Sequence, residues 1–200
     1  MRTLRISLAS LLLVAGCSTT QAGEPTAVDT PPATTGQTEE PTGTTESPTP
    51  ERPKRPRDID LASVDICEVM TGIPVRKYGL DGRPPLRGTS QVFPGSEQCF
   101  ANGIDKNLSM TLIAVTDQDA DEFVETANAE VTDFDAQGYP LAVLKPAQPA
   151  NCFGVLDVHD GQFVWVSYGL GNPNDQPVTP QNQICETVPK IAASVVSALG

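Results

Sequence analysis

Apolar positions along the chain change their spacing several times, and each change marks an element. Ile66, Val69 and Met70 lie on one side of a helical turn, Asp65 and Glu68 stand at capping-box spacing, and Gly72 can end the turn. A short helix carrying Cys67 is predicted there. In "QCFANGIDKNLSMTLIAV" the spacing becomes two, with Leu108, Met110, Leu112 and Ala114 on one face. This predicts a hairpin that turns at Asn102-Gly103 or just beyond it. Asp119 and Glu122 repeat the capping spacing ahead of Phe123, Val124 and Ala127, predicting a second helix over 119–129 with an acidic outer face.

Four strand-like runs follow: "EVTDF", "YPLAVLK", "CFGVLDV" and "FVWVSYGL". A two-residue turn at Asp160-Gly161 would set Val158 opposite Phe163, Leu156 opposite Trp165, Val155 opposite Val166 and Phe153 opposite Tyr168. A hairpin this apolar belongs at the centre of a sheet with cover on both faces. Thr179 and Pro180 then open a C-terminal helix whose stripe is Ile184, Val188, Ile191, Val195 and Leu199, and Pro189 must kink or divide it. The expected fold is α+β: a mostly antiparallel sheet of five to six strands, packed by short helices and a C-terminal helix. Residues 59–200 suffice for one such domain with a modest core.

One segment inside that domain lacks any period. "GLDGRPPLRGTSQVFPG", from Gly79 to Gly95, is rich in Gly, Pro and Arg and reads as a long connection, either a recognition loop or a plain surface excursion.

Upstream, Arg2 and Arg5 precede an apolar run from Leu8 to Ala15, too short for the roughly 20 residues that span a bilayer. This is the layout of an export signal over 1–16. Val14-Ala15-Gly16-Cys17 resembles a bacterial lipobox. In that motif the thiol takes a diacylglycerol, cleavage precedes the cysteine, and the new amino terminus is acylated, for example with palmitate. Two or more acyl chains anchor a protein stably. An ordinary secretory signal cut between Ser18 and Gly23 is the alternative. Residues 17–58, rich in Thr, Pro and Glu, offer no apolar face and are expected to form a disordered or extended tether.

Charge narrows the partners. The formal net charge is −12, which disfavours nucleic acid. Within residues 60–200, Arg76-Lys77 with Arg83 and Arg87 is the one basic patch visible in the sequence. The expected partners are the membrane, through the anchor, and an envelope lipid or protein. The protein is expected to be a monomer.

With Cys17 set aside, Cys67, Cys99, Cys152 and Cys185 remain, an even number in an exported domain, so two disulfides are expected. Three connectivities are open. Cys67 with Cys99 and Cys152 with Cys185 is the economical one, closing loops of about thirty residues that stabilise by roughly 3–4 kcal/mol each. No cysteine pair has zinc or Cys-x-x-Cys spacing, and the one histidine, His159, sits at a predicted hairpin end. "DQDADEFVE" lacks the glycine and the terminal glutamate of a calcium loop. No cofactor is expected. A hydrolase would have to use His159 or an undistinguished carboxylate pair, and no nucleophile motif accompanies either. The sequence therefore points to a non-catalytic ligand- or partner-binding module, with a structural envelope protein as the alternative. Its recognition surface is expected from Tyr78, Arg83, Arg87, Phe93, Trp165 and Tyr168, on the 79–95 segment and the neighbouring sheet face.

The lipobox, the tether, the helix at Asp65-Ile66-Cys67, Cys99-Phe100, the Gly138-Tyr139-Pro140 turn, Cys152 opening a strand and Cys185 beside the last helix together resemble the DUF3558 lipoproteins of actinobacteria. Two positions depart from the usual family pattern: Phe100 stands where tryptophan is common, and Ile66 where proline is. The resemblance implies a membrane-anchored extracytoplasmic protein of small α+β architecture and unknown function. More distantly, the element order resembles the Mog1/PsbP-like sandwich, which implies no activity.

Overall fold

The computed structural model describes residues 54–200. Its frame is one antiparallel sheet of seven strands in the order β1-β2-β3-β7-β6-β5-β4. The strands are β1 (Leu86–Thr89), β2 (Glu97–Gly103), β3 (Leu108–Val115), β4 (Glu130–Ala136), β5 (Tyr139–Lys145), β6 (Asn151–His159) and β7 (Gln162–Leu170). Four helices accompany them: α1 (Ile66–Gly72), α2 (Ala120–Glu125), α3 (Gln181–Cys185) and α4 (Val188–Leu199).

The caps form where their sequence signals stand. The Asp65 carboxylate accepts from the Cys67 and Glu68 amides, and Asp119 accepts from the Asp121 amide. α2 stops earlier than 119–129, at Glu125, where the Thr126 hydroxyl donates back to the Glu122 and Phe123 carbonyls. Pro189 resolves as a division, because it falls in the first turn of α4, where its missing N–H costs nothing.

Both faces of the central strands are buried. On one face Leu112 of β3, Val166 of β7, Leu156 of β6 and Leu141 of β5 meet Ile66 and Met70 of α1 and Ile191 and Val195 of α4. Gly154 lets this cover come close: a Cβ there would lie 2.8 Å from Val188 Cγ1. On the other face Ile113, Val115, Val155, Phe163 and Trp165 meet Phe93, Ala120 and Phe123. Cys67 and Cys99 stand at disulfide distance with Cα atoms 5.1 Å apart, as do Cys152 and Cys185. These pairs tie α1 to β2 and α3 to β6, so both secure the helices of one cover.

Two expectations need correction. The sheet has seven strands, not five to six, because the 79–95 segment contains β1. That strand pairs Leu86 with Phe100 and Thr89 with Glu97 at the sheet edge. The register of β6 on β7 also differs. His159 does pair with Gln162 across Asp160-Gly161, but a bulge between Asp157 and His159 shifts the remainder by one residue. Val155 faces Trp165, Leu156 faces Val164, Gly154 faces Val166 and Phe153 faces Ser167. The displaced residue is Val158, whose carbonyl accepts from the Ile59 amide at 2.9 Å, so a segment far upstream holds the bulge.

The segment just ahead of residue 59 packs on the domain. Arg55 donates to Asp157 and Asp160 at 2.5 Å each and to Asp58 at 3.0 Å. Burial alone would lower the guanidinium pKa, but Asp160 and Asp157 outweigh it and the net movement is upward. The Asp157 side chain is 5% exposed, so a cation here offsets a charge that burial would otherwise penalise.

Removing one partner of such a pair leaves the other charge buried. Arg55→Ala is expected to destabilise the domain by about 3 kcal/mol in urea unfolding, and a chain beginning at Asp58 should show the same loss. A loss under about 1 kcal/mol would mean that Arg55 only decorates the surface.

Candidate functional site

The aromatic residues expected to form a binding surface lie on opposite faces of the sheet. Phe93 and Trp165 have ring centroids 5.5 Å apart, and Phe123 and Phe153 stand 5.3 and 4.8 Å from Trp165. With Phe163 they form a five-ring cluster under α2. Phe93 is 8% exposed and Trp165 6%, so this cluster is core rather than a ligand platform. Tyr78 and Tyr168 are buried on the other face.

The arginines of the 79–95 segment also divide. Arg87 on β1 forms ion pairs with Asp65 and Glu97. This anchors the edge strand to the start of α1 and, chiefly by its hydrogen bond, holds the Asp65 carboxyl below its ordinary pKa. Arg83 is exposed and makes no ion pair among the described residues. The segment therefore serves largely to close the sheet edge and, through Phe93, the core. Its first residue, Gly79, and the preceding Tyr78 lead to a different place.

A cleft of about 570 Å³ opens where the Leu108 end of β3 and the Tyr168 region of β7 meet the start of α4. Tyr78, Leu108, Tyr168, Val178 and Pro180 line it, and three lysines, Lys77, Lys106 and Lys190, stand around it with one carboxylate, Glu186. No ion pair engages the three lysines among the described residues. The chain is otherwise acidic, so the cleft inverts the local charge.

Tyr78 holds this arrangement together. Its hydroxyl donates to the Lys190 carbonyl at 2.9 Å and shares a 2.7 Å bond with the Ser194 hydroxyl. The Tyr168 hydroxyl donates to the Tyr78 carbonyl at 2.8 Å, and burial, with Tyr78 nearby, pushes the Tyr168 phenol up to about 12. Gly79 follows with φ 74°, and a Cβ there would meet Lys106 Cγ at 3.2 Å, so the lysine stem lies across the glycine. The outer wall is held by Asn107, itself at φ 49°. Its amide donates to the carbonyls of Asn172 and Asp175, and its side-chain oxygen accepts from the Asn172 amide at 3.0 Å.

Other concavities are present among the described residues, two of them beside α2. A groove of about 380 Å³ between α2 and β4–β6 is acidic, with Asp121, Asp133, Asp135 and Asp157 around Val124, Ala142 and Val155. A depression of about 400 Å³ lies over Phe93 and Phe123. Among the described residues no group of three His, Cys, Asp or Glu side chains is arranged to hold a metal, and no helix is long and apolar enough to cross a membrane. His159 is half-buried at the β6–β7 turn, where its Nδ1 lies 2.8 Å from the Asp160 carbonyl oxygen. Cys17 lies outside the described residues.

A family model described as "Protein of unknown function (DUF3558)" matches residues 12–198. The chain belongs to the DUF3558 family. No curated protein and no solved structure matches it. The matched stretch of this DUF3558 chain includes Cys17 and the Thr/Pro-rich segment as well as the folded domain.

Of the residues expected at the binding surface, Tyr78 and Tyr168 line this cleft, whereas Lys77, Lys106 and Lys190 were not among them. The signal available was scarcity: the folded part has only seven Lys and Arg after Asp60, and one falls in a hairpin turn and another at a helix start.

Two outcomes test this description. Arg87→Gln should raise the Asp65 pKa toward the ordinary aspartate value in a carboxyl NMR titration. A depressed carboxylate stabilises the fold above its unfolded pKa and loses that contribution as pH falls through the folded one, so the variant should also show a weaker loss of stability on acidification below about pH 4. An unchanged Asp65 titration would mean that the ion pair does not persist in solution. Separately, Asn107→Gly keeps the left-handed backbone accessible but removes the clasp. It should speed hydrogen exchange at the Asn172 amide and destabilise by about 1–3 kcal/mol. Unchanged protection at Asn172 would show that the wall is held by something else.

Proposed function

We propose that this DUF3558 chain is a lipid-anchored extracytoplasmic protein of the actinobacterial lipoprotein type, on the outer face of the cytoplasmic membrane, whose folded domain is a non-catalytic binding module. The observation that carries the binding reading is the lysine-ringed cleft built on Tyr78. It joins concavity, apolar wall and unpaired charge on rigid elements, the composition expected of a ligand site. The anchor reading is supported by Val14-Ala15-Gly16-Cys17 behind a short apolar run, and by two cysteine pairs at disulfide distance, which suit an oxidising compartment.

The domain acts as a monomer with no cofactor. The order of its helices and strands supports a Mog1/PsbP-like fold, an analogy that carries no activity. A protein partner at the envelope is the second reading, favoured by Val131 and Phe134, 40% and 43% exposed on the edge strand β4.

Mass spectrometry of the protein purified from its host's envelope tests the proposal. Denatured, the chain should begin at Cys17 and carry acyl mass there, and Cys17→Ser should release the protein or leave its precursor uncut. In native spectra a second molecule should travel with the domain. A mature chain without acyl groups overturns the anchor, and a domain with no companion molecule or protein overturns the binding module.

A further inference from the structure

The geometry points to a phosphate monoester as the chemical class that the lysine cleft binds, with an apolar or aromatic body resting on the exposed Val178 and Pro180. This rests on the reading of the domain as a binding module and names the ligand class for its site.

Three observations converge on it. The first is charge. Lys77, Lys106 and Lys190 against Glu186 leave a formal +2 around the cleft, which matches the charge of about −1.5 to −2 on a phosphate monoester at neutral pH. A single carboxylate would leave the excess uncompensated. Lysine ammonium groups bind phosphate as compact point charges and need no planar partner. The formal charge of the chain is −12, so the cleft is a local reversal of charge that attracts an anion.

The second is fixed placement. Lys77 precedes Tyr78, the Lys190 carbonyl accepts from the Tyr78 hydroxyl, and the Lys106 stem crosses Gly79, the residue that follows. Lysines from a turn, a hairpin and a helix are thus held in register by one buried side chain and its neighbour. Such support limits the ordering cost when an anion arrives. The Tyr78 and Tyr168 hydroxyls are spent on these internal bonds, which leaves the ammonium groups as the chief donors for a ligand.

The third is size. About 570 Å³ exceeds what inorganic phosphate fills and falls in the range of about 300–1,000 Å³ for organic ligands. The apolar lining has no use for a bare anion.

The test uses the full-length protein, wild type and Lys77→Gln/Lys106→Gln/Lys190→Gln, with phenyl phosphate, inorganic phosphate and benzyl alcohol as calorimetric probes. Phenyl phosphate should bind the wild type more tightly than either other probe, and the triple variant should lose on the order of tenfold or more in affinity. Its thermal melting should hardly change, because all three lysines are exposed. Arg83→Gln/Lys145→Gln, which removes charge outside the cleft, should retain binding. Equal binding to wild type and triple variant, or no binding of phenyl phosphate to the wild type, overturns the phosphate cleft. Native mass spectrometry of the envelope-purified protein separates the sources: a phospholipid with a terminal phosphate monoester identifies a membrane headgroup, a water-soluble phosphate monoester a free metabolite, and either supports the class. A companion molecule without phosphorus that survives the triple substitution overturns this inference while the binding module stands.

Discussion

β6 and β7 bury side chains on both faces, and the remainder of the domain follows from that. Leu156 and Val166 point to one side while Val155 and Trp165 point to the other, and neither set can be left in water. A domain of this size cannot supply two full helical layers. It covers one face with α1, α3 and α4 and the other with the single short helix α2 and one inserted ring, Phe93. The heavier cover is the one the two cysteine pairs secure. The lighter cover holds without a covalent tie because five aromatic rings interlock beneath it, each ring pair contributing about 0.5–1.5 kcal/mol beyond its buried area.

The same constraint produces the cleft. Helical cover on the first face is made of separate short pieces, because Gly72 ends α1 and Pro189 divides the C-terminal helix. Short pieces leave a gap where the turn at Tyr78, the α3–α4 junction and the Leu108 end of the sheet meet. Tyr78 spans that gap with its ring in the core and its hydroxyl on α4, and the polar rim falls to residues too long to be buried, the lysines. Packing of a small core and presentation of a charged concavity are thus one arrangement.

Elements with a two-sided or one-sided apolar pattern were legible in the sequence: six strands, both capped helices and the division at Pro189 each announce themselves through neighbours within a few residues. What escaped lacks that locality. β1 is four residues long, edge-placed and largely exposed, with Leu86 at 57%, so no burial pattern marks it. The bulge at Val158 depends on the Ile59 amide about a hundred residues away. Arg55 hid in a segment whose composition reads as spacer. The aspartate inside the apolar run "CFGVLDV" was the clue that some cation must come to it. Among the candidate site residues, aromatics drew attention because they are large, and largeness is also what sends a residue to the core. Phe93 and Trp165 went there.

Charge placement gives the molecule a direction. β7 runs from Gln162, beside the Asp160 turn that Arg55 grips, to Leu170, which pairs with Leu108 at the lysine cleft. The described chain therefore enters at one end of the sheet, and the cleft opens at the other. On the sheet's second face and its β4 edge lie Asp121, Glu122, Asp133 and Asp135, which anionic headgroups repel while counter-ion screening confines the repulsion to about 10 Å.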